Sequence, residues 1–435
     1  MKARRRLATL VLAVLLVLGL VPVAAGCTGA SNKVTLTMVE SLTSPQRTEK
    51  LKSFIKKYQD ANPNVTIELI SPPMDGADQK IRQMLMNKND IDILEVRDWT
   101  VKEFSNNNYL VPLDDYVKAW DGSKTLTKTV TLAGTMVGGK YYLIPYGFYQ
   151  KMIFYRQDWL KEAGIAKPTT WDELLAAAEK LTNPEKGRYG WTLRGVNGGY
   201  GVMTGIIIDK LGTKGVVLDD NYYTPDGKTI FSTPEALEAF NTMIALYTKA
   251  SPKDSISWGF QDQCQAFTSG VTAFLMQDPE VVAICQEQMD EGTWGTMPLP
   301  VDAKSQQSGA NIGYAGWGIA ANCKYKDEAW KFIAFLSNAD NNAEFCASYS
   351  VIPIHSNAAE KNAFFKSGPF APYIEMSSKP DNFFIYHGTE NYSKLTQFGE
   401  TAQSDYQNVL QGKADAATVL KAWDAFWTDA LKTGK

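Results

Sequence analysis

VTLTMVESLTSPQRTEKLKSFIKKYQDANPNVTIELISPPMDGADQKIRQMLMNKNDIDILEV, residues 34–96, decides the fold class. Val34, Leu36 and Met38 alternate with Thr35 and Thr37, the period of a strand that ends near Glu40. Leu51, Phe54, Ile55 and Tyr58 then fall at i, i+3, i+4 and i+7, one face of a helix that Asn62-Pro63 stops. Val65, Ile67 and Leu69 mark a second strand, Asp78 is placed to cap a helix carrying Ile81 and Leu85, and residues 91–96 form a third strand. Strand, helix, strand, helix, strand at roughly 30-residue spacing is the rhythm of an open parallel sheet, so the class is α/β. Ligands bind such sheets at the carboxyl ends of strands. Those ends carry Glu40, the loop 71–79 with Asp75 and Gln79, and Asp98-Trp99.

Outward from that core the chain runs to 435 residues, too long for one hydrophobic core, and two lobes are expected. Residues 138–149 read as turn, strand and extended crossing between them, with Pro145 disfavouring helix before it and Gly147 relaxing the backbone. Thr170-Trp171-Asp172-Glu173 is a capping box opening a helix through Leu181, and Thr233-Pro234 opens another, both in a second α/β lobe. Residues 271–276 are an apolar strand ending at Gln277-Asp278, and residues 316–321 are another. Helical stripes follow at Ala329, Phe332, Ile333 and Leu336, and at Ala416, Val419, Leu420, Trp423 and Trp427. There is no internal repeat or low-complexity run.

The net charge is −3; Lys2, Arg4, Arg5 and Arg6 fall in the first 26 residues, and without them 40 basic face 47 acidic residues, −7. That argues against a nucleic-acid partner. After the basic start, residues 7–25 carry no charge and end in Ala24, Ala25 and Gly26 before Cys27. This resembles a bacterial lipoprotein lipobox, which predicts a signal peptide over 1–26, a lipid-modified Cys27 anchoring the protein outside the cell membrane, and a tether over 27–33. An uncleaved anchor or an ordinary signal peptide is the alternative. Cys264, Cys285, Cys323 and Cys346 then remain; pairing Cys264 with Cys285 and Cys323 with Cys346 closes short loops, and four buried free thiols are the other reading.

Four stretches resemble the family 1 extracellular solute-binding proteins, the sugar-binding components of ABC importers: GKYYLIPYGFYQKMIFYRQDWLKEAG (139–164), PTTWDELLAAAEKLT (168–182), FTSGVTAFLM (267–276) and GWGIAANCKYKDEAWKFIAFLSNAD (316–340). VLQGKADAATVLKAW (409–423) fits the family's closing helix. The resemblance implies a two-lobed periplasmic-binding-protein-like fold, each lobe a mixed, mostly parallel sheet flanked by helices. By that likeness residues 34–146 and 270–321 form lobe 1, residues 147–269 and 322–435 form lobe 2, and the ligand sits in the cleft between them. It further implies a monomer that closes on its ligand and docks on an importer's permease. Gln277-Asp278-Pro279 stands where the family has a small residue and a Trp.

A sugar presents hydroxyls at its edge and C–H groups on its face, so the complementary surface is aromatic rings rimmed by carboxylates and amides. The 11 Trp, 20 Tyr and 19 Phe supply the rings. The candidate ligand-binding residues are Asp98 and Trp99 first, then Tyr146 and Tyr149 in the crossing, Tyr200 and Trp258 from the second lobe, and Gln277, Asp278 and Trp317. Glu40, Asp75 and Gln79 complete the set. Enzyme signals fail: residues 198–201 lack a phosphate loop's Gly-Lys-Ser/Thr ending, Asp114-Asp115 and Asp219-Asp220 are adjacent pairs that diverge, and no Gly-x-Ser-x-Gly elbow occurs. His355 and His387 have no metal-ligand spacing. No catalytic residue, metal or cofactor is therefore expected. The reading is capture of a sugar or oligosaccharide; the alternatives are a secreted glycan-active enzyme, a binder of a peptide or cationic solute, or an adhesin.

Overall fold

The computed structural model describes residues 33–74, 76–88, 90–386 and 394–433. The predicted signal peptide, Cys27, most of the tether, Asp75 and His387 lie outside the described residues. Among these residues no helix is long and apolar enough to cross a membrane.

Two sheets organise the chain. The first has five strands in the order β2-β1-β3-β10-β4: β1 (Val34–Val39), β2 (Val65–Ile70), β3 (Ile93–Arg97), β4 (Ile144–Tyr149) and β10 (Gly313–Ile319). β1 is parallel to β2 and β3, while β10 runs antiparallel to β3 and β4. The second has the order β6-β7-β5-β8: β5 (Met152–Arg156), β6 (Tyr189–Trp191), β7 (Thr272–Gln277) and β8 (Trp294–Met297), with only β6 and β7 parallel. A small parallel pair, β9 (Ser308–Asn311) and β11 (Phe383–Tyr386), completes the strands. Both sheets are thus mixed, as expected, but not mostly parallel. Strands that re-enter a sheet from the other lobe come back against their neighbours.

The helix Pro45–Ala61 shows how local sequence builds lobe 1. Ser44 Oγ accepts from the Arg47 amide at 3.3 Å and Pro45 occupies the first turn, so the helix starts where the chain leaves β1. Its buried stripe Leu51, Phe54, Ile55 and Tyr58 faces Phe332, Phe335 and Phe345, with ring centroids 5.0–6.4 Å apart. Each such buried side chain contributes about 1.5–3 kcal/mol by leaving water.

Those aromatic partners revise the expected lobe boundaries. Phe332 and Phe335 lie on the helix Lys326–Leu336 and Phe345 on Ala339–Tyr349, and Phe332 and Phe345 belong to the first lobe's core with the strands of the first sheet. Residues 322–349 were expected in lobe 2. Conversely β7 and β8, expected in lobe 1, pair with β5 in the second sheet. An apolar run such as 272–277 fits either sheet, and its antiparallel register with Met152–Tyr155 decides. The crossing itself stands where 138–149 pointed: β4 ends at Tyr149 in the first sheet and β5 begins at Met152 in the second. Gly147 is needed there, because a Cβ would approach Val351 Cγ2 to 2.8 Å.

In lobe 2 the capping box is present, with Glu173 N donating to Thr170 Oγ1 at 3.2 Å and the Thr170 amide to Glu173 Oε2 at 3.4 Å. Asp78 does not cap its helix; Gly76 does, at φ 89°, and Asp78 sits in the first turn. The four cysteines 264, 285, 323 and 346 are buried and free, so the preferred disulfide pairing is not formed. Cys323 packs in the first lobe's core, whereas Cys346 lies in a separate cluster with its Sγ donating to the Tyr146 carbonyl at 3.2 Å.

Candidate binding cleft

A cavity of about 1510 Å³ opens between the two sheets, lined from both. From the first lobe come residues 42–46 after β1, Arg97-Asp98-Trp99 after β3, Tyr149 at the end of β4, and Tyr349-Ser350; from the second come Arg194, Asn197-Gly198, Gln277, Asp278 and Glu280. The carboxyl ends of β1 and β3 thus supply the wall, as the parallel-sheet reading requires.

Asp98 accepts from the Trp99 amide at 2.9 Å and from the Tyr314 amide at 3.4 Å, joining the start of the helix Asp98–Asn106 to β10. Trp99 is 55% exposed, a large ring held open to solvent. Its Nε1 donates to Asp78 Oδ2 at 3.0 Å and the Arg97 guanidinium lies 4.1 Å from the ring centroid, so its orientation is set from both sides. Tyr149 reaches the cavity with its hydroxyl 3.1 Å from that of Tyr146.

Across the cleft, Gln277 is almost wholly buried and its amide is committed: Nε2 donates to Gln263 Oε1 at 3.0 Å and Oε1 accepts from the Asp278 amide at 3.0 Å. Asp278 Oδ2 accepts from Lys151 Nζ at 2.9 Å, a pair that ties the interlobe crossing to the end of β7. Two residues on, Glu280 lines the cavity with Oε2 buried and without a hydrogen-bond partner. Burial, then the neighbouring Asp278 charge, pushes its carboxyl up to about 8. Arg194 Nε donates to the Val196 and Asn197 carbonyls at 3.3 and 3.1 Å. Burial lowers its guanidinium from the usual range, with Asp278 and Glu280 pulling the other way. Deeper in lobe 2, burial pushes Asp209 up to about 8 despite hydrogen bonds from Trp171 Nε1 at 2.8 Å and the Gly309 amide at 2.6 Å.

Of the residues expected in the cleft, Asp98, Trp99, Tyr149, Gln277 and Asp278 line it. Glu40, Tyr146 and Trp317 do not: they lie behind the wall, at 0%, 1% and 2% exposure. Arg47 pairs there with Glu40 and, at 2.8 Å, with Glu95 Oε1, inside a cage of Tyr146, Trp317, Phe345 and Tyr349 rings 5.2–5.6 Å from its guanidinium carbon. Tyr200 points into the second lobe's core, edge-on to Phe398 and Trp423 at 5.8 and 6.1 Å, and its neighbours Gly201 and Val202 face the cavity instead. Trp258 contributes its backbone, its carbonyl accepting from the Gly195 and Val196 amides at 3.0 and 3.2 Å, while the ring lies off the lining. Gln79 is exposed and off the lining. Arg97, Lys151, Arg194, Glu280, Tyr349 and Ser350 were not foreseen. Arg97 adjoins the foreseen Asp98, and Lys151 and Glu280 lie two residues from the foreseen Tyr149 and Asp278; that proximity was the one available signal.

Residues 44–343 match the family described as bacterial extracellular solute-binding protein. A binding protein of Brucella abortus strain 2308 is 24% identical over 378 residues, covering 84% of this chain and 86% of its own. The lactose-binding protein of Rhizobium radiobacter is 22% identical over 347 residues, 77% of this chain and 75% of that protein. Among solved structures, an ABC transporter solute-binding protein of Thermotoga lettingae TMO, bound with α-D-tagatose, superposes with a TM-score of 0.75 at 19% identity, covering 92% of this chain and 100% of that one. With its two lobes, mixed sheets and shared cleft, the chain belongs to the bacterial extracellular solute-binding proteins, a family of substrate-binding proteins and not of enzymes.

Proposed function

We propose that the protein captures a neutral carbohydrate or polyol in the interlobe cleft and delivers it to the permease of an ABC importer, held at the outer face of the cell membrane by a lipid on Cys27. The observation that carries the ligand class is the balance of the lining. Arg97, Lys151 and Arg194 face Asp98, Asp262, Asp278 and Glu287, with Asp209 and Glu280 held toward their neutral forms. Charges of both signs in near-equal number offer charge-assisted hydrogen bonds to hydroxyls without selecting a net charge. Trp99 adds an exposed face for C–H groups. The relatives named for lactose and solved with tagatose support the same class.

Both lobes contribute to the lining, so a closed form gains contacts with the ligand that an open one lacks, and binding favours closure. The purified protein is heated with lactose, tagatose, maltose, mannotriose and mannitol in turn. A ligand at 100 times its Kd adds about 2.7 kcal/mol to the folded state, a melting rise of several degrees. No rise with any of them sinks the reading.

A cationic solute is the second reading, favoured by Asp98 and Asp278 both lining the cavity. Lys151 already compensates Asp278, which places this reading second. Spermidine and a lysyl dipeptide in the same melting series separate the two.

A further inference from the structure

The turn after β7 runs Gln277-Asp278-Pro279-Glu280, and its three polar side chains have different fates. Gln277 has spent its amide on Gln263 and the Asp278 backbone, and Asp278 has Lys151. Glu280 lines the same cavity, immediately before the helix Val281–Gln288, and its Oε2 has no partner in the protein. A second orphan lines the cavity from the other lobe: Ser350 Oγ, on a 1% exposed residue held at φ 58° at the end of the helix Ala339–Tyr349. Buried polar atoms are nearly always hydrogen-bonded, and Glu280 Oε2 and Ser350 Oγ, left open together with Asn221 Oδ1 and Ser308 Oγ on one cavity lining, point to partners that arrive from outside. A non-glycine residue in the left-handed region is strain of the kind that collects at binding sites.

Resting on the proposed carbohydrate or polyol capture, we propose that Glu280 is the ligand-reading carboxyl of the cleft, its Oε2 accepting a hydroxyl of the bound molecule, with Ser350 Oγ a second contact from the opposite lobe. This assigns to Glu280 the edge-reading role that sequence gave to Gln277 and Asp278, whose polar atoms hold the turn in shape.

The placement has a chemical consequence. Without ligand, burial and Asp278 keep the carboxyl toward its protonated form, with a midpoint near 8. A hydroxyl donated to Oε2 favours the carboxylate, so binding lowers that midpoint and releases a proton. Affinity then rises as pH approaches 8 from below and levels off above it. The charged groups facing Glu280 are Asp278, Lys151, Arg97 and Arg194. Tyr149, Tyr349, Tyr373 and Cys264 also face it, and burial pushes all four upward, Cys264 to about 12, outside the window. Asp209 has its own midpoint near 8 in the same cavity, and substitution at Glu280 alone separates the two.

The test takes the sugar or polyol that gives the largest melting rise in the panel above and measures its affinity by calorimetry from pH 6 to pH 9, in two buffers of different ionisation heat, for the wild type, E280Q and D278N. The expected result is proton release on binding to the wild type, a roughly tenfold weaker and pH-flat E280Q, and a D278N curve whose midpoint moves to lower pH because a neighbouring negative charge is gone. A ligand-free melt of E280Q matching the wild type at pH 6 shows that the variant is folded. If the wild type binds and E280Q binds equally well with the same pH slope, the inference is overturned while the capture reading stands. If the wild type binds nothing in the panel, both fall together.

Discussion

Arg47, behind the first lobe's wall of the cleft, and Arg194, on the second lobe's lining, are treated oppositely. Arg47 is wholly buried, paired with Glu40 and Glu95 and caged by aromatic rings, and these attractions raise it well above its usual range although burial opposes them. Arg194 lines the cavity, its Nε bonded only to loop carbonyls, and is lowered by burial. The same division runs through the carboxyls. Burial would push Glu95 up, but Arg47, the Tyr146 hydroxyl and the Ser41 and Leu42 amides hold it below the ordinary range. Glu280 has no comparable company and goes up. The difference teaches that this protein uses complete charge networks to fix the cleft's shape and incomplete ones to face what enters it. The two meet at Tyr349, which lies within electrostatic reach of both Arg47 and Glu280 and stands edge-on to Tyr149 at 6.4 Å.

The comparison breaks most readily at Arg47. Replacing it with Met leaves Glu40 and Glu95 buried without a counter-charge, and the expected loss is about 3–5 kcal/mol, read as a fall in the first lobe's calorimetric transition. Restoring neutrality in an R47M/E40Q/E95Q triple variant recovers part of that loss; an R47M protein as stable as wild type would show that the network fixes nothing. The two carboxyls also give opposite pH limbs. Glu95, lowered on folding, contributes stability that is present above its unfolded value near 4.5 and lost as pH falls through the folded one. Glu280, raised on folding, contributes stability that is complete below about 4.5 and lost as pH rises toward 8. E95Q therefore flattens the acid limb of a melting profile and E280Q part of the alkaline limb, the remainder belonging to Asp209.

Next in size is the contrast between two aromatic residues that look alike in sequence. Tyr200 to Ala removes a ring from the second lobe's core and costs about 2 kcal/mol of stability, with ligand affinity unchanged. Trp99 to Ala removes an exposed ring, so the melting temperature holds while affinity falls about tenfold, the worth of one aromatic face. Paired melting and titration curves check both; a Y200A protein with weakened binding and full stability would reverse the assignment.

That pair also shows what the sequence discloses. Local patterns were legible: the stripe from Leu51 to Tyr58, the Thr170–Glu173 capping box, the crossing at 138–149, and the strand ends Asp98-Trp99 and Gln277-Asp278 all stand where periodicity and turn chemistry put them. What distance decides was not. Glu40 follows a strand end and Tyr146 lies in the crossing, as ligand contacts would, but Arg47 and Glu95, the latter 55 residues from Glu40, turn them inward. Tyr200 sits beside two glycines that suggested a loop, yet it opens the helix Tyr200–Gly215, and the first helical turn aims its ring at Phe398. Glu280 was not singled out at all, because the groups around it, Lys151, Arg97 and Tyr349, come from stretches far apart in the chain. No local pattern encodes that.

The smallest expected effect is at Ser350, and it sharpens the comparison because stability and binding move in opposite directions. Held at φ 58°, a serine carries about 1 kcal/mol of left-handed strain that glycine does not. Its buried Oγ has no partner to offset the loss of water. Glycine relieves both, against a small gain in unfolded-state freedom, so S350G melts a degree or two higher than wild type. The same change deletes a hydrogen-bonding atom from the cavity lining, and affinity for the ligand falls about threefold. A residue kept for the fold would show the reverse, a lower melting temperature with binding untouched. Ser350 would then belong with Arg47 on the structural side of the wall.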